Sequence, residues 1–165
     1  MTAGKTILVT GGAGYVGSHC AKAFAHVGWR VVCLDNLSRG WRDAVRWGPL
    51  IEADIADHDA VSAALREYRP DVVAHFAAFA YVGESVTAPE LYYDNNVRRS
   101  FALLETLRAV HKAPVLFSST CATYGHPQGE TIDESHPQWP INPYGWTKLM
   151  IERMLADYAV AHGLP

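Results

Sequence analysis

The sequence predicts a single-domain α/β protein with a doubly wound parallel sheet, strand order 3-2-1-4-5, flanked by helices. Three observations predict it. Short β-branched runs alternate with longer helical patterns along the chain, as in a parallel sheet covered on both faces. The first such run opens into a glycine-rich turn, Gly11-Gly12-Ala13-Gly14-Tyr15-Val16-Gly17-Ser18, and a helical pattern follows it. Right-handed crossovers behind such a first turn favour this strand order, with ligand at the carboxyl ends of the strands.

The first strand is expected over 5–10, Lys-Thr-Ile-Leu-Val-Thr. The helix after the glycine turn is expected to present Val16, Cys20, Phe24 and Val27 on one side and to stop at Gly28. Strand two covers 30–34 and ends at Asp35, and a polar loop rich in Trp and Arg covers 36–48. Strand three, 50–53, leads into Asp54-Ile55, and a helix over 57–68 turns Val61, Ala64 and Leu65 inward. Strand four, 71–76, passes into Ala77-Ala78, and a long helical stretch over 89–111 carries Leu103, Leu104 and Leu107 on its apolar face. Strand five, 115–118, is followed by a loop over 120–141. The last helix opens at Asn142-Pro143, a cap and a suitable first helical residue, and runs to about 162. Its apolar stripe is Leu149, Met150, Met154, Leu155 and Tyr158.

A chain of 165 residues is long enough for one well-buried core. Its net charge of −3 gives no basic footprint for nucleic acid. No stretch is long enough to span a membrane, and no secretory leader is visible at the N-terminus. Cys20, Cys33 and Cys121 are odd in number and scattered, the pattern of reduced thiols in a cytoplasmic protein. The eight histidines show no ligand spacing, so no metal site is expected. His75, beside a buried-looking strand, reads as a core histidine with its hydrogen bonds satisfied.

Two constellations carry chemistry. The glycines permit a tight turn and close approach of backbone to a pyrophosphate, and the helix behind them offers free N–H groups and a positive dipole end. Asp35 lies at the distance expected for an acid that binds the adenosine ribose hydroxyls. A carboxylate there repels a 2′-phosphate and favours NAD over NADP; Arg39 nearby weakens that preference without reversing it. At the other end, Tyr144 and Lys148 fall four apart at a helix start, on one face. An ammonium near a phenol favours the phenolate, so such a tyrosine can act as a general base or acid. Taken alone, this spacing also fits an ordinary surface helix start.

Together these residues resemble the extended short-chain dehydrogenase/reductases, in particular the UDP-glucose 4-epimerase branch. The matching segments include Val9 to His19, Leu34-Asp35-Asn36-Leu37, His75-Phe76-Ala77-Ala78 and Val82-Gly83-Glu84-Ser85-Val86. Further matches are Tyr92-Tyr93-Asp94-Asn95-Asn96-Val97, Phe117-Ser118-Ser119-Thr120 and Asn142-Pro143-Tyr144-Gly145 with Lys148. The resemblance implies that Tyr144 takes the sugar 4-hydroxyl proton and that Lys148 supports it and reaches the nicotinamide ribose. Thr120 stands for the residue that hydrogen-bonds the sugar oxygen, so Thr120 and Tyr144 would touch substrate. Hydride would pass from C4 to tightly held NAD and return to the opposite face of a 4-keto sugar.

The cofactor contacts implied are Gly11, Gly14, Tyr15, Val16, Gly17, Asp35, Asn36, Ser38, Asp54, Ile55, Phe76, Ala77, Ala78 and Asn95, with Tyr144 and Lys148. For Asp54, a capping or loop role stands beside adenine contact. The related 4,6-dehydratases carry Asp-Glu after the catalytic threonine, whereas Cys121-Ala122 follow Thr120 here. Ala80 replaces a lysine found near the cofactor in some members. The resemblance further implies a homodimer through the helices at 89–111 and 143–162, although their apolar stripes also suit core faces. Family members are much longer. Residues 1–165 are therefore expected to form the NAD-binding domain of a longer protein, with the substrate-binding part beyond Pro165 and strand five left as an edge. A simple NAD-dependent reductase and a non-catalytic NAD-binding fragment are the competing readings.

Overall fold

A computed structural model of the chain describes residues 4–165. Five parallel strands form one sheet in the order β3-β2-β1-β4-β5, as the sequence predicts. They are β1 (Thr6–Thr10), β2 (Arg30–Asp35), β3 (Leu50–Glu52), β4 (Val72–His75) and β5 (Val115–Phe117). The helices are α1 (Tyr15–His26), α2 (His58–Tyr68), α3 (Val82–Thr87), α4 (Pro89–Tyr92), α5 (Arg99–Val110) and α6 (Pro143–His162).

Strand alternation divides the core between the two faces of the sheet. Leu8, Val32, Leu34 and Val73 pack with Val61 and Leu65 of α2 and with Leu103, Leu104 and Leu107 of α5. Ile7, Val9, Val31, Cys33 and Ala74 face Ala21 and Phe24 of α1. The register sets Thr10 opposite Leu34 on one side and His75 on the other, so the carboxyl ends of the three central strands lie level. β5 is the last strand of the sheet, and its Val115 N–H donates to the Pro165 carbonyl at 2.9 Å.

Three expectations need correction. The fully buried residues of α1 are Gly17 and Ala21, and Phe24 packs against the core as expected, while Val16 and Val27 are exposed. Small residues face inward in the first half of α1 because the helix starts tight against the glycine turn. Met150 of α6 is likewise exposed, and the buried positions there include Thr147, Lys148 and Ile151. The stretch expected as one helix over 89–111 changes form instead. Between α4 and α5 lies a π-helical segment, Tyr93–Arg98, and α3 precedes the whole stretch. The six-residue α3 has too few turns to show a period, and the π segment holds one extra residue per turn that no α-helical pattern predicts.

Candidate active site

The turn after β1 is built for close approach. Gly11 has a φ of +72°, and a Cβ there would lie 2.6 Å from the Ala77 nitrogen, against the chain leaving β4. A Cβ on Gly17 would lie 2.1 Å from the Gly11 oxygen, so only glycine lets α1 start against the turn. The N-cap of α1 is Gly14, and no side chain caps the helix. Its first-turn N–H groups and positive dipole end therefore remain available to an anion.

The end of β2 holds the acid of the site in place. Asp35 is buried; its two carboxylate oxygens accept the Ala13 N–H at 2.9 Å and the Leu37 N–H at 2.8 Å. Glycine turn and acid are thus one hydrogen-bonded unit with lone pairs to spare for hydroxyl donors. Asn36 donates to Asp54 at 2.8 Å and accepts the Ser38 N–H at 3.0 Å. Asp54 also accepts the Ala56 N–H at 2.9 Å and forms an ion pair with Arg99, which pairs again with Asp94. The loop role of Asp54 is therefore real, and its place in the cleft wall leaves adenine contact open to it as well.

The π segment serves two compartments. Asn95 lines the cleft, while its neighbour Asn96 is fully buried. Asn96 accepts the Phe79 N–H at 2.8 Å and donates to the Phe79 carbonyl at 3.0 Å and to the Thr147 hydroxyl at 3.1 Å. It fastens the segment after β4 to α6. That helix starts where the sequence predicts: Asn142 Oδ1 accepts the Gly145 N–H at 2.8 Å, and Pro143 is the first helical residue.

Tyr144 and Lys148 project from this helix start into the cleft. The Tyr144 ring meets Tyr92 edge-on, 6.4 Å between centroids. The Lys148 ammonium is buried, donates to the Ser118 carbonyl at 2.7 Å and lies 4.7 Å from the centre of the Phe117 ring. Burial pushes its pKa down to about 8, against the opposing attraction of Glu152. His75 lies beneath, with Nδ1 2.7 Å from the Thr10 hydroxyl and Nε2 2.8 Å from the Ser100 hydroxyl. Burial, and then the nearby Lys148 charge, lower its pKa to about 3. It is the satisfied core histidine that the sequence suggested.

Every residue expected to contact the cofactor, from Gly11 round to Lys148, lines a single cleft of about 360 Å³ at the carboxyl ends of the strands. Thr120 does not line it. Its hydroxyl accepts the Ala122 N–H at 3.2 Å and caps the short turn Cys121–Thr123. Beyond the expected contacts, the cleft wall includes Arg39, Phe79, Arg99 and Ser118. Arg39 and Phe79 adjoin the expected positions Ser38 and Ala78, so proximity in sequence is a usable signal for them. Ser118 and Arg99 enter only through the fold. An uncapped helix end, a buried acid and a tyrosine–lysine pair facing one cleft can hold a dinucleotide and move a proton beside it.

Residues 7–165 match the NAD dependent epimerase/dehydratase family. The UDP-glucose 4-epimerase of Rhizobium leguminosarum bv. trifolii is 50% identical over 156 residues, covering 94% of this chain and 48% of the relative. UDP-arabinose 4-epimerase 1 of Arabidopsis thaliana is 46% identical over 163 residues, covering 93% of this chain and 39% of the relative. Among solved structures, UDP-glucose 4-epimerase from Brucella ovis in complex with NAD superposes with a TM-score of 0.95 at 52% identity, covering 97% of this chain and 49% of that one. The chain spans about half the length of the curated relatives it matches.

Proposed function

The chain belongs to the NAD dependent epimerase/dehydratase family, and from that membership we propose that it is the NAD-binding, proton-transferring part of a UDP-sugar 4-epimerase. The observation that carries this reading is the convergence of Gly11–Gly17, Asp35, Tyr144 and Lys148 on one cleft. The residues fit NAD on the chain's own geometry: Gly11 and Gly17 leave space that a Cβ would fill, and Asp35 keeps acceptor capacity toward ribose hydroxyls. Bound NAD would take up the hydride from C4 of the sugar and give it back.

Tyr144 takes the proton of the 4-hydroxyl and later returns it. Lys148, held by the Ser118 carbonyl, presents its ammonium to the same cleft. Thr120 contacts the sugar oxygen once its hydroxyl turns from the Ala122 N–H. Cys121 and Ala122 offer no carboxylic acid for eliminating water, which favours epimerisation over dehydration. UDP-glucose and UDP-galactose are the proposed pair, with UDP-arabinose the next candidate because several relatives are named for it.

Calorimetric titration with NAD, followed by adding UDP-galactose and watching 340 nm absorbance, tests the reading. NAD binding with a rise at 340 nm or formation of UDP-glucose supports it. NAD binding with neither, for every UDP-sugar, leaves the chain a cofactor-binding part only. Association through the helices at 89–111 and 143–162 belongs to the same proposal, supported by exposed Leu91, Phe101 and Met150. A monomeric mass in solution counts against it. The three free thiols suit a cytoplasmic setting. Among the described residues no helix is long and apolar enough to cross a membrane.

A further inference from the structure

Arg39, which lines the cleft, and Glu84 are 45 residues apart in sequence. Arg39 Nη1 and Nη2 donate to the two Glu84 oxygens at 2.7 and 2.8 Å. The guanidinium also lies 3.7 Å from the centre of the Phe79 ring. Glu84 is fixed from behind, with its Oε2 2.7 Å from the hydroxyl of fully buried Tyr92. That hydroxyl in turn accepts the Tyr81 N–H at 3.0 Å.

The two joined segments are both cleft walls. Ser38, Arg39 and Gly40 form one, and Phe79, Ala80 and Tyr81 form the other. A partly exposed ion pair alone stabilises a fold little. A two-pronged pair stacked on an aromatic ring and braced by a buried hydroxyl is a stronger and better-oriented contact. Nothing in the sheet order or the core requires this bridge, and it ties one segment of the cleft lining to the other.

We propose that the Arg39–Glu84 pair is a clasp that retains the dinucleotide and keeps the site selective for one without a 2′-phosphate, a reading that rests on the proposed NAD site. The loop after β2 cannot swing from the cleft while the clasp is closed, so a ligand beneath it leaves only when the pair parts. The same contact directs both terminal nitrogens of Arg39 at Glu84 and lays its face on Phe79. The cation nearest Asp35 on this loop is thereby withheld from a 2′-phosphate.

Stopped-flow NADH fluorescence on the full chain and its Arg39→Ala and Glu84→Gln variants tests retention. Both variants are expected to bind and release NADH about tenfold faster, because opening precedes both steps; that is about 1.4 kcal/mol on each barrier. Rate constants within twofold of the unaltered chain overturn the clasp. No NADH binding by the unaltered chain overturns the cofactor reading and the clasp with it, which separates the two failures. For selectivity, the NADP-to-NAD affinity ratio is expected to rise about tenfold in Glu84→Gln, where Arg39 is released, and to stay low in Arg39→Ala. Equal ratios in the two variants overturn that part.

Discussion

The two walls of the cleft are built from different materials. On the side of β1 and β2, backbone makes the site: a glycine at positive φ, a helix end without a side-chain cap, and N–H groups that hold Asp35. On the side of β5 and α6, side chains make it: Lys148 on the Ser118 carbonyl, Asn96 on Thr147 and Phe79, and Ser119 on Glu152. The first wall is assembled within a few dozen residues of sequence. The second depends on contacts such as Asn96 to Thr147, 51 residues apart. Backbone sites tolerate little change in shape, and side-chain sites can lose function while keeping their shape. The difference predicts how each wall fails.

The largest expected effect is on the backbone wall. Gly17→Val places carbon where the Gly11 oxygen already lies, so the variant is expected to lose about 4 kcal/mol of stability or more, together with NAD binding. Chemical denaturation and calorimetry would read both. A variant that folds and binds NAD normally would break the comparison. On the other wall, Tyr144→Phe is expected to lower sugar oxidation about 10²- to 10⁴-fold in the full-length protein while NAD stays bound. Near-normal turnover would remove Tyr144 from the proposed chemistry.

Asn96→Ala tests whether the second wall depends on its long-range fastening. It strands the Phe79 N–H and carbonyl in a buried site, and a loss of about 1–3 kcal/mol in unfolding free energy is expected. The smallest effect concerns His75, which sits between the walls on Thr10 and Ser100. Its folded pKa, lowered to about 3, lies below the ordinary 6.5, so between these values the native state holds fewer protons than the unfolded one. Stability from this group is present above pH 6.5 and falls as the pH drops toward 3. His75→Gln is expected to flatten the pH dependence of unfolding in that window by about one proton. An unchanged slope would show that His75 does not govern it.

The backbone wall was also the more legible in sequence. Gly11, Gly14, Gly17 and Asp35 announce their roles because each role needs a particular residue type at a particular spacing. Strand order followed from the same turn, and Tyr144 with Lys148 followed from a helix cap. What escaped reading was whatever depends on distant partners. In sequence Arg39 is a charge that weakens the preference for NAD without reversing it, while its partner Glu84 lies on a helix too short to show a period. Asn96 stands beside the expected Asn95, but its partners Phe79 and Thr147 meet only in the folded chain. Thr120 carries a hydroxyl that a local turn uses as its cap, a competition sequence spacing does not reveal.

The π segment Tyr93–Arg98 has a consequence for how this chain tolerates insertions and deletions. One residue advances an α-helix by about 100°, so the extra residue in a π turn acts as a phase correction between α4 and α5. Upstream, Tyr92 is in phase with the interior; downstream, Ser100, Leu103, Leu104 and Leu107 are in phase with the sheet. Deleting a single residue within 93–98 would let the two helices fuse into one regular helix with both faces still in phase, whereas an insertion there would turn one of these faces to solvent. Two insertions of equal length, one inside the segment and one in the exposed loop at 126–139, would therefore have opposite fates. The loop would absorb its change, and the helix would carry it as a rotation through the core.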